Sequence, residues 1–379
     1  MQTKAKPLSR RGFFQMVGTG AAAAWCTDLT AVLPPIGLAA ATATDGGVVR
    51  LNSNENPYGP SPAVFDAMRE AFSMAWRYPD EQVDALAADI ARGHGLPADH
   101  VLLGDGSSEI LKIAAAAFTG PGRPAVTADP TFEAVAVYAA QGGAEVVKVP
   151  LTADHRHDLA AMLGAAAGGG LVYVCNPNNP TGTITPKGQI RDFLARLPAA
   201  TTALVDEAYF YYAESRDYES VIPLVTEHPN LIVARTFSKI HGLAGLRLGY
   251  AVARPETLAR LRQQQAWDSL NTLALAAGRA SFGDYGHREQ SRRLNRETRA
   301  WLRAQLEGQG YALLPSETNF VMIDLKQDVG PVIEGLRLRK VEVGRRFPAL
   351  PNHLRVTIGT RPQMEAFLAA FRAVLPAAV

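Results

Sequence analysis

From about residue 80 the chain alternates between amphipathic stretches and short runs of β-branched and apolar residues. The amphipathic stretches predict helices over 81–93, 107–118, 131–141 and 187–196. The apolar runs predict strands over 101–103, 125–127, 145–149, 171–174, 203–205 and 231–234. Such alternation is the pattern of an α/β domain built on a mostly parallel sheet. Several of the strands end directly in polar or Gly/Pro-rich segments, and open parallel sheets bind ligands outside the carboxyl ends of their strands. Those segments are therefore expected to meet at one site.

After about residue 265 the texture changes. A charged stretch over 288–307 predicts a solvent-facing helix, and strand-like segments follow at 319–323 and 354–358. The expected organisation is a large domain over 76–265 and a smaller α+β domain over 266–379, with an arm over 44–75 joining the small domain. No repeat is visible, and the only low-complexity pieces are the Ala-rich N-terminal run and Gly168-Gly169-Gly170.

The first forty residues stand apart. Lys4 and Lys6 precede Ser9-Arg10-Arg11-Gly12-Phe13-Phe14, and a weakly apolar Ala/Gly run leads to Trp25. This layout predicts a twin-arginine export signal over 1–43, with Ala41-Thr42-Ala43 as a cleavage site and a periplasmic or otherwise exported product. The alternative is a cytoplasmic N-terminus carrying a chance arginine pair. Asp28 interrupts the apolar run, which falls short of the ~20 residues a spanning helix needs, so no stable membrane span is expected.

Composition narrows the partners. Among 379 residues, 47% are apolar and 20% charged, and the formal charge is +2. Loss of residues 1–43 would leave about −1. Neither value supplies the basic field that nucleic acid requires, so a small-molecule substrate is expected. Cys26 and Cys175 lie far apart with no Cys or His at metal-ligand spacing, which supports neither a disulfide framework nor a zinc site. His155-Arg156-His157-Asp158 lacks the pairing of a metal site and reads as a solvated turn, so no metal is expected.

The chemistry gathers at strand ends. Lys239, in Arg235-Thr236-Phe237-Ser238-Lys239, follows the strand 231–234, where a lowered pKa would let it form an imine with an aldehyde. Ser238 and Arg247 suit a phosphate dianion. Asp206 ends the apolar run 203–205, and a carboxylate emerging from a buried strand is costly unless it meets a cation such as a protonated pyridine nitrogen. Asn176-Pro177-Asn178-Asn179-Pro180-Thr181-Gly182 follows 171–174 as a rigid turn that can aim the Asn179 amide into the site. Gly106, Ser107 and Ser108 follow 101–103 and open a helix, where free N–H groups make a phosphate cradle. Each segment alone has a plainer reading as surface lysine, helix cap or turn.

Taken jointly, Asn-Pro-x-Asn-Pro-Thr-Gly, Asp206-Glu207-Ala208-Tyr209 and Ser238-Lys239 with Arg247 resemble the fold-type I pyridoxal-phosphate aminotransferases of classes I and II. Through Leu51-Asn52-Ser53-Asn54-Glu55-Asn56-Pro57-Tyr58-Gly59-Pro60 and Leu354-Arg355-Val356-Thr357-Ile358-Gly359-Thr360 the chain is most similar to the histidinol-phosphate aminotransferase group, over roughly residues 48–375.

The resemblance implies the aspartate aminotransferase-like fold and pyridoxal 5'-phosphate as cofactor. It implies Lys239 as the Schiff-base lysine, Asp206 on the pyridine nitrogen, Asn179 and Tyr209 near the cofactor's phenolic oxygen, and Ser107, Ser108, Ser238 and Arg247 around its phosphate. Phe132 would stack on the ring, where many relatives carry Tyr. Tyr78 would reach the phosphate of a neighbouring subunit, which implies a homodimer. Arg355 would grip the substrate's anionic group. Arg345 and Arg346 sit in a segment that departs from the family pattern, and either one is a candidate second positive charge.

The implied reaction is ping-pong transfer of an amino group from an amino acid or amino-alcohol phosphate to a 2-oxo acid. A decarboxylase of the threonine-phosphate type and a β-lyase use the same apparatus and stay open at this point. A protein that only binds the cofactor would need no imine-forming lysine.

Overall fold

The computed structural model describes residues 47–375, so the export-signal segment 1–43 and Cys26 lie outside the described residues. Twelve strands occur among them. In chain order they are β1 (Val49–Leu51), β2 (Val101–Gly104), β3 (Ala125–Asp129), β4 (Val146–Pro150), β5 (Gly170–Cys175) and β6 (Thr201–Asp206). There follow β7 (Leu231–Thr236), β8 (Gly249–Val252), β9 (Ala312–Leu313), β10 (Phe320–Asp324), β11 (Val341–Val343) and β12 (His353–Thr357).

Seven strands form the central sheet in the order β2-β8-β7-β6-β5-β3-β4. Six run in one direction, and β8 runs against both of its neighbours. Every residue of β5, β6 and β7 is buried, which is why their central stretches, 171–174, 203–205 and 231–234, read as apolar runs. Each fully buried Val, Leu or Ile there contributes about 1.5–3 kcal/mol.

Strand alternation sorts the side chains into two layers. Val172, Val174, Ala203, Val205 and Val233 enter one core with the helices Asp80–Gly93, Lys187–Arg196 and Thr272–Gly283. Leu171, Tyr173, Cys175, Leu204 and Ile232 face the helix Gly106–Phe118 on the other side.

A separate apolar cluster joins β1, β10, β11 and β12 to the helices Gly330–Arg337 and Arg361–Val374. Here β12-β10-β9 form one antiparallel sheet, while β1 pairs with β11 in parallel. The helix Thr272–Gly283 lies in the first core although it follows residue 265.

Some expectations are corrected. The helix anticipated over 131–141 begins at Ala134, because Pro130 to Glu133 form a turn. The charged helix spans Tyr285–Glu307 and does not face solvent all round: Ser291, Asn295, Thr298, Leu302 and Leu306, at three- and four-residue steps, make a buried stripe. His155 to Asp158 is not a solvated turn throughout. His157 is buried beside Thr185, and Asp158 caps the helix Leu159–Ala165 by accepting from Ala161 N at 3.0 Å.

Among the described residues no three His, Cys, Asp or Glu side chains converge as metal ligands. No described helix is long and apolar enough to cross a membrane.

Candidate active site

The carboxyl ends of β2, β5, β6 and β7 open onto one cavity of about 210 Å³. Its walls bring together Ser107, Ser108, Phe132, Asn179, Asp206, Tyr209, Ser238, Lys239 and Arg247, all singled out in the sequence. Ser53, Glu55, Cys175, Ala208, Thr236 and Ala244 complete it.

Helix Gly106–Phe118 points its N-terminus into the cavity. Asp105 does not cap this helix with its side chain; the Glu109 carboxylate instead folds back and accepts from Asp105 N at 2.6 Å. First-turn N–H groups have no intrahelical acceptor and suit an anion. Arg247 lies across this end, with Nη2 3.4 Å from Ser108 Oγ and Nη1 3.4 Å from Ser238 Oγ. It holds a left-handed backbone conformation at φ 57°, a costly geometry that the surroundings must enforce. Two glycines make the approach possible. A Cβ on Gly106 would collide with the Arg247 guanidinium, and one on Gly249, at the start of β8, would strike Ser107 N.

Asp206 is 3% exposed. Its Oδ2 accepts from Tyr173 OH at 2.9 Å and its Oδ1 from Ala208 N at 3.1 Å, and among the described residues no Lys or Arg pairs with it. Burial raises its pKa to about 6 in spite of those hydrogen bonds. Across the cavity, Lys239 Nζ donates to Ser53 O at 3.0 Å. Burial, reinforced by the charge of Arg355, brings its pKa down to about 8.

Tyr209 OH accepts from Asn54 Nδ2 at 3.0 Å, which leaves its own proton to donate. Burial holds that phenol above the usual range. Arg355 Nη1 donates to Asn179 Oδ1 at 2.7 Å and its Nη2 to Asn52 O at 2.7 Å. Because a guanidinium only donates, the Asn179 amide is oriented with Nδ2 left as a donor. The Nε of Arg355 is buried and has no acceptor.

These features fit a phosphorylated pyridine aldehyde: a dianion subsite at a helix end, a buried carboxylate lacking a cation, an amine with a lowered pKa, and a phenylalanine on the wall. Phe132 supplies that ring and is 39% exposed in the single chain.

The remaining candidates divide. Arg346 is turned away from the cavity and pairs with Asp328 at 2.6 Å. Arg345 pairs with Glu133, the neighbour of Phe132, at 2.6 Å, and with Arg355 flanks the Phe347 ring. Tyr78 is not brought into the cavity of its own chain and is 76% exposed.

Ser53, Glu55 and Tyr173 escaped the sequence reading as site residues. For Tyr173 a signal existed, since a tyrosine inside a fully buried strand needs a partner for its hydroxyl. Cys175 is buried and also lines the cavity.

Residues 46–371 match the family described as aminotransferase class I and II. The chain is similar to a histidinol-phosphate aminotransferase of Symbiobacterium thermophilum, with 43% identity over 86% of this chain and 91% of that protein. It is also similar to one of Moorella thermoacetica, with 40% identity over 86% of each. Among solved structures it resembles the histidinol-phosphate aminotransferase of Sinorhizobium meliloti in complex with pyridoxal-5'-phosphate. That likeness has a TM-score of 0.82 and 29% identity and covers 93% of this chain and 98% of the other.

Proposed function

The chain belongs to the class I and II aminotransferase family and is a pyridoxal-phosphate-dependent aminotransferase, and on that premise we propose that its amino donor is an amino-alcohol phosphate of the histidinol-phosphate kind. The observation that carries the reading is the placement of Arg355. Its Nη1 bonds Asn179 on the cavity wall, and its charge is felt at the Lys239 amine. A guanidinium in that position suits an oxyanion one short arm from the reacting amine.

When bound, pyridoxal 5'-phosphate supplies a ring that accepts the electron pair released at the substrate's α-carbon. Ser107, Ser108, Ser238 and Arg247 would hold its phosphate, and Phe132 would pack on its ring. Asp206, buried without a cation, would take the ring N–H as its partner and so keep that nitrogen protonated. Asn179 Nδ2 and the Tyr209 hydroxyl would donate to the phenolic oxygen. Lys239 would anchor the aldehyde. Once displaced by the incoming amine, its Nζ would remove the proton from the α-carbon and return a proton on the other side of the transfer. A lysine pKa brought toward neutrality suits that work. Arg345, which shares the Phe347 ring with Arg355, would stand at the mouth with its charge partly met by Glu133, while Arg346, held apart on Asp328, would take no part.

Tyr78 would act from a second copy of the chain, reaching the neighbouring cofactor's phosphate in a homodimer. Its exposure, with that of Phe72 and Trp76 close by in sequence, supports this reading, since several large exposed aromatic side chains in one segment suit an interface.

A panel of amino donors and 2-oxo acids on the purified enzyme tests the substrate. Histidinol phosphate is expected to give a keto product with the fastest turnover. Release of carbon dioxide, or a preference for donors without an anionic group, would overturn the assignment.

A further inference from the structure

Below the cavity floor, on the opposite face of the sheet, lies an ion pair that the proposed chemistry does not use. Arg235 donates from Nη2 to Glu207 Oε2 at 2.6 Å and from Nε to the same oxygen at 2.9 Å. The two side chains are 3% and 1% exposed. The pair is bound in further. Glu207 Oε1 accepts from Val221 N at 2.7 Å, its Oε2 accepts from Ser220 Oγ at 2.8 Å, and the guanidinium lies 3.7 Å over the Phe210 ring.

Glu207 directly follows Asp206, and Arg235 lies four residues before Lys239. The registered pairing of β6 with β7 stops at Asp206 opposite Ala234, closed by Glu207 N donating to Ala234 O at 2.9 Å. Beyond that point the two chains diverge, one into the turn at Tyr209 and the other into the loop that carries Lys239. The β6–β7 ladder therefore holds Asp206 but stops short of Lys239, and beyond it β7 stays paired only with β8, with Arg235 opposite Tyr250 and Thr236 opposite Gly249. The ion pair spans the gap where the ladder ends. Because side chains alternate across a strand, Asp206 and Thr236 face the cavity while Glu207 and Arg235 face away from it.

We propose that Glu207 and Arg235 are positioning residues, which clamp the diverging ends of β6 and β7 and so fix Asp206 and Lys239 at their working separation. A pair of apolar side chains could fill this volume at no loss of stability, because desolvation offsets much of what a buried ion pair gains. What an apolar pair lacks is the two-bond fork that fixes direction as well as distance. The proposal rests on the assignment of Asp206 and Lys239 to the cofactor. If that assignment failed, the wild-type enzyme itself would show no lysine-linked cofactor absorbance. If only the present inference failed, that absorbance would stay and the variants below would behave as wild type.

The test uses the double variant Glu207→Leu/Arg235→Met and the single variant Arg235→Lys, which keeps the charge and loses the fork. In cofactor-free protein the pH dependence of Lys239 labelling by an amine reagent reads the lysine's own titration, expected near 8 in the wild type. Both variants are expected to shift it by about half a unit or more. In the loaded enzyme, kcat is expected to fall about tenfold or more while KM for the donor changes less than about twofold. A variant whose melting temperature changes while the Lys239 titration and kcat stay at wild-type values would overturn the proposal. Should the apolar double variant fail to fold, Arg235→Lys decides alone, and wild-type titration in that protein overturns the proposal.

Discussion

Arg355 Nη1 and Asn179 Oδ1 stand 2.7 Å apart, so Arg355, the residue proposed to grip the substrate's anion, also fixes which way the Asn179 amide points. Asn179 comes from the turn after β5 and Arg355 from the middle of β12, 176 residues later in the chain. One hydrogen bond would thus join the proposed substrate end of the site to the proposed cofactor end.

Loss of Arg355 is expected to damage both ends. Arg355→Ala should lower kcat/KM for a phosphate-bearing donor by about 10²–10³-fold. Arg355→Lys should recover only part of this, since an ammonium cannot serve Asn179 and Asn52 in the same fork geometry. Steady-state kinetics with the donor and its dephosphorylated analogue check the point. An equal loss for both compounds would mean that Arg355 does not contact the anion.

Asp206 carries a stability penalty in the cofactor-free protein. Its folded pKa of about 6 lies above its ordinary 3.8. Folding therefore disfavours the carboxylate: there is no penalty below the unfolded pKa, it grows between the two values, and it is complete above the folded one. A shift of this size corresponds to roughly 3 kcal/mol. Asp206→Asn should raise the melting temperature of the cofactor-free protein at pH 8, with the gain vanishing toward pH 4, and should at the same time destroy transaminase activity. Thermal melts at the two pH values, with and without cofactor, measure this. A pH-independent gain would assign the effect to packing.

Much of this site was legible because parallel strands end where ligands bind. The runs ending near 103, 174, 205 and 234 each deliver a motif to the cavity. Missed contacts came from elsewhere in the chain. Ser53 meets Lys239 across 186 positions, and no local pattern announces such a pairing. Tyr173 stands opposite Leu204 in the register and reaches Asp206 on the diagonal, a contact that depends on strand order. Four-residue β8 escaped for another reason: it runs antiparallel between β2 and β7, in a sheet whose sequence pattern otherwise announces crossover helices. Arg345 and Arg346 are adjacent and alike in sequence, and only their acceptors, Glu133 and Asp328, separate them.

If a second copy of the chain supplies Tyr78, the protein in solution should have twice the chain mass by light scattering. Tyr78→Phe should weaken cofactor binding by about tenfold, the order expected for one hydrogen bond to a charged group, with the dimer intact. A monomer with full activity would contradict this.

The export reading of residues 1–43 predicts that the chain leaves the cytoplasm already folded and is shortened once across the membrane. In cells with working twin-arginine transport, Arg10→Lys/Arg11→Lys should trap the full-length protein inside. Full-length wild-type protein found only in the cytoplasm would refute the signal.

The central claim is that Lys239 holds the cofactor at the meeting point of these strand ends. The absorbance spectrum of purified Lys239→Ala, set beside wild type at equal cofactor loading, tests it most directly. The long-wavelength band of lysine-linked pyridoxal phosphate should be present in the wild type and absent from the variant, and borohydride should fix the cofactor to the wild-type chain alone. A variant that keeps the band, or a wild-type chain labelled at another lysine, would contradict the account.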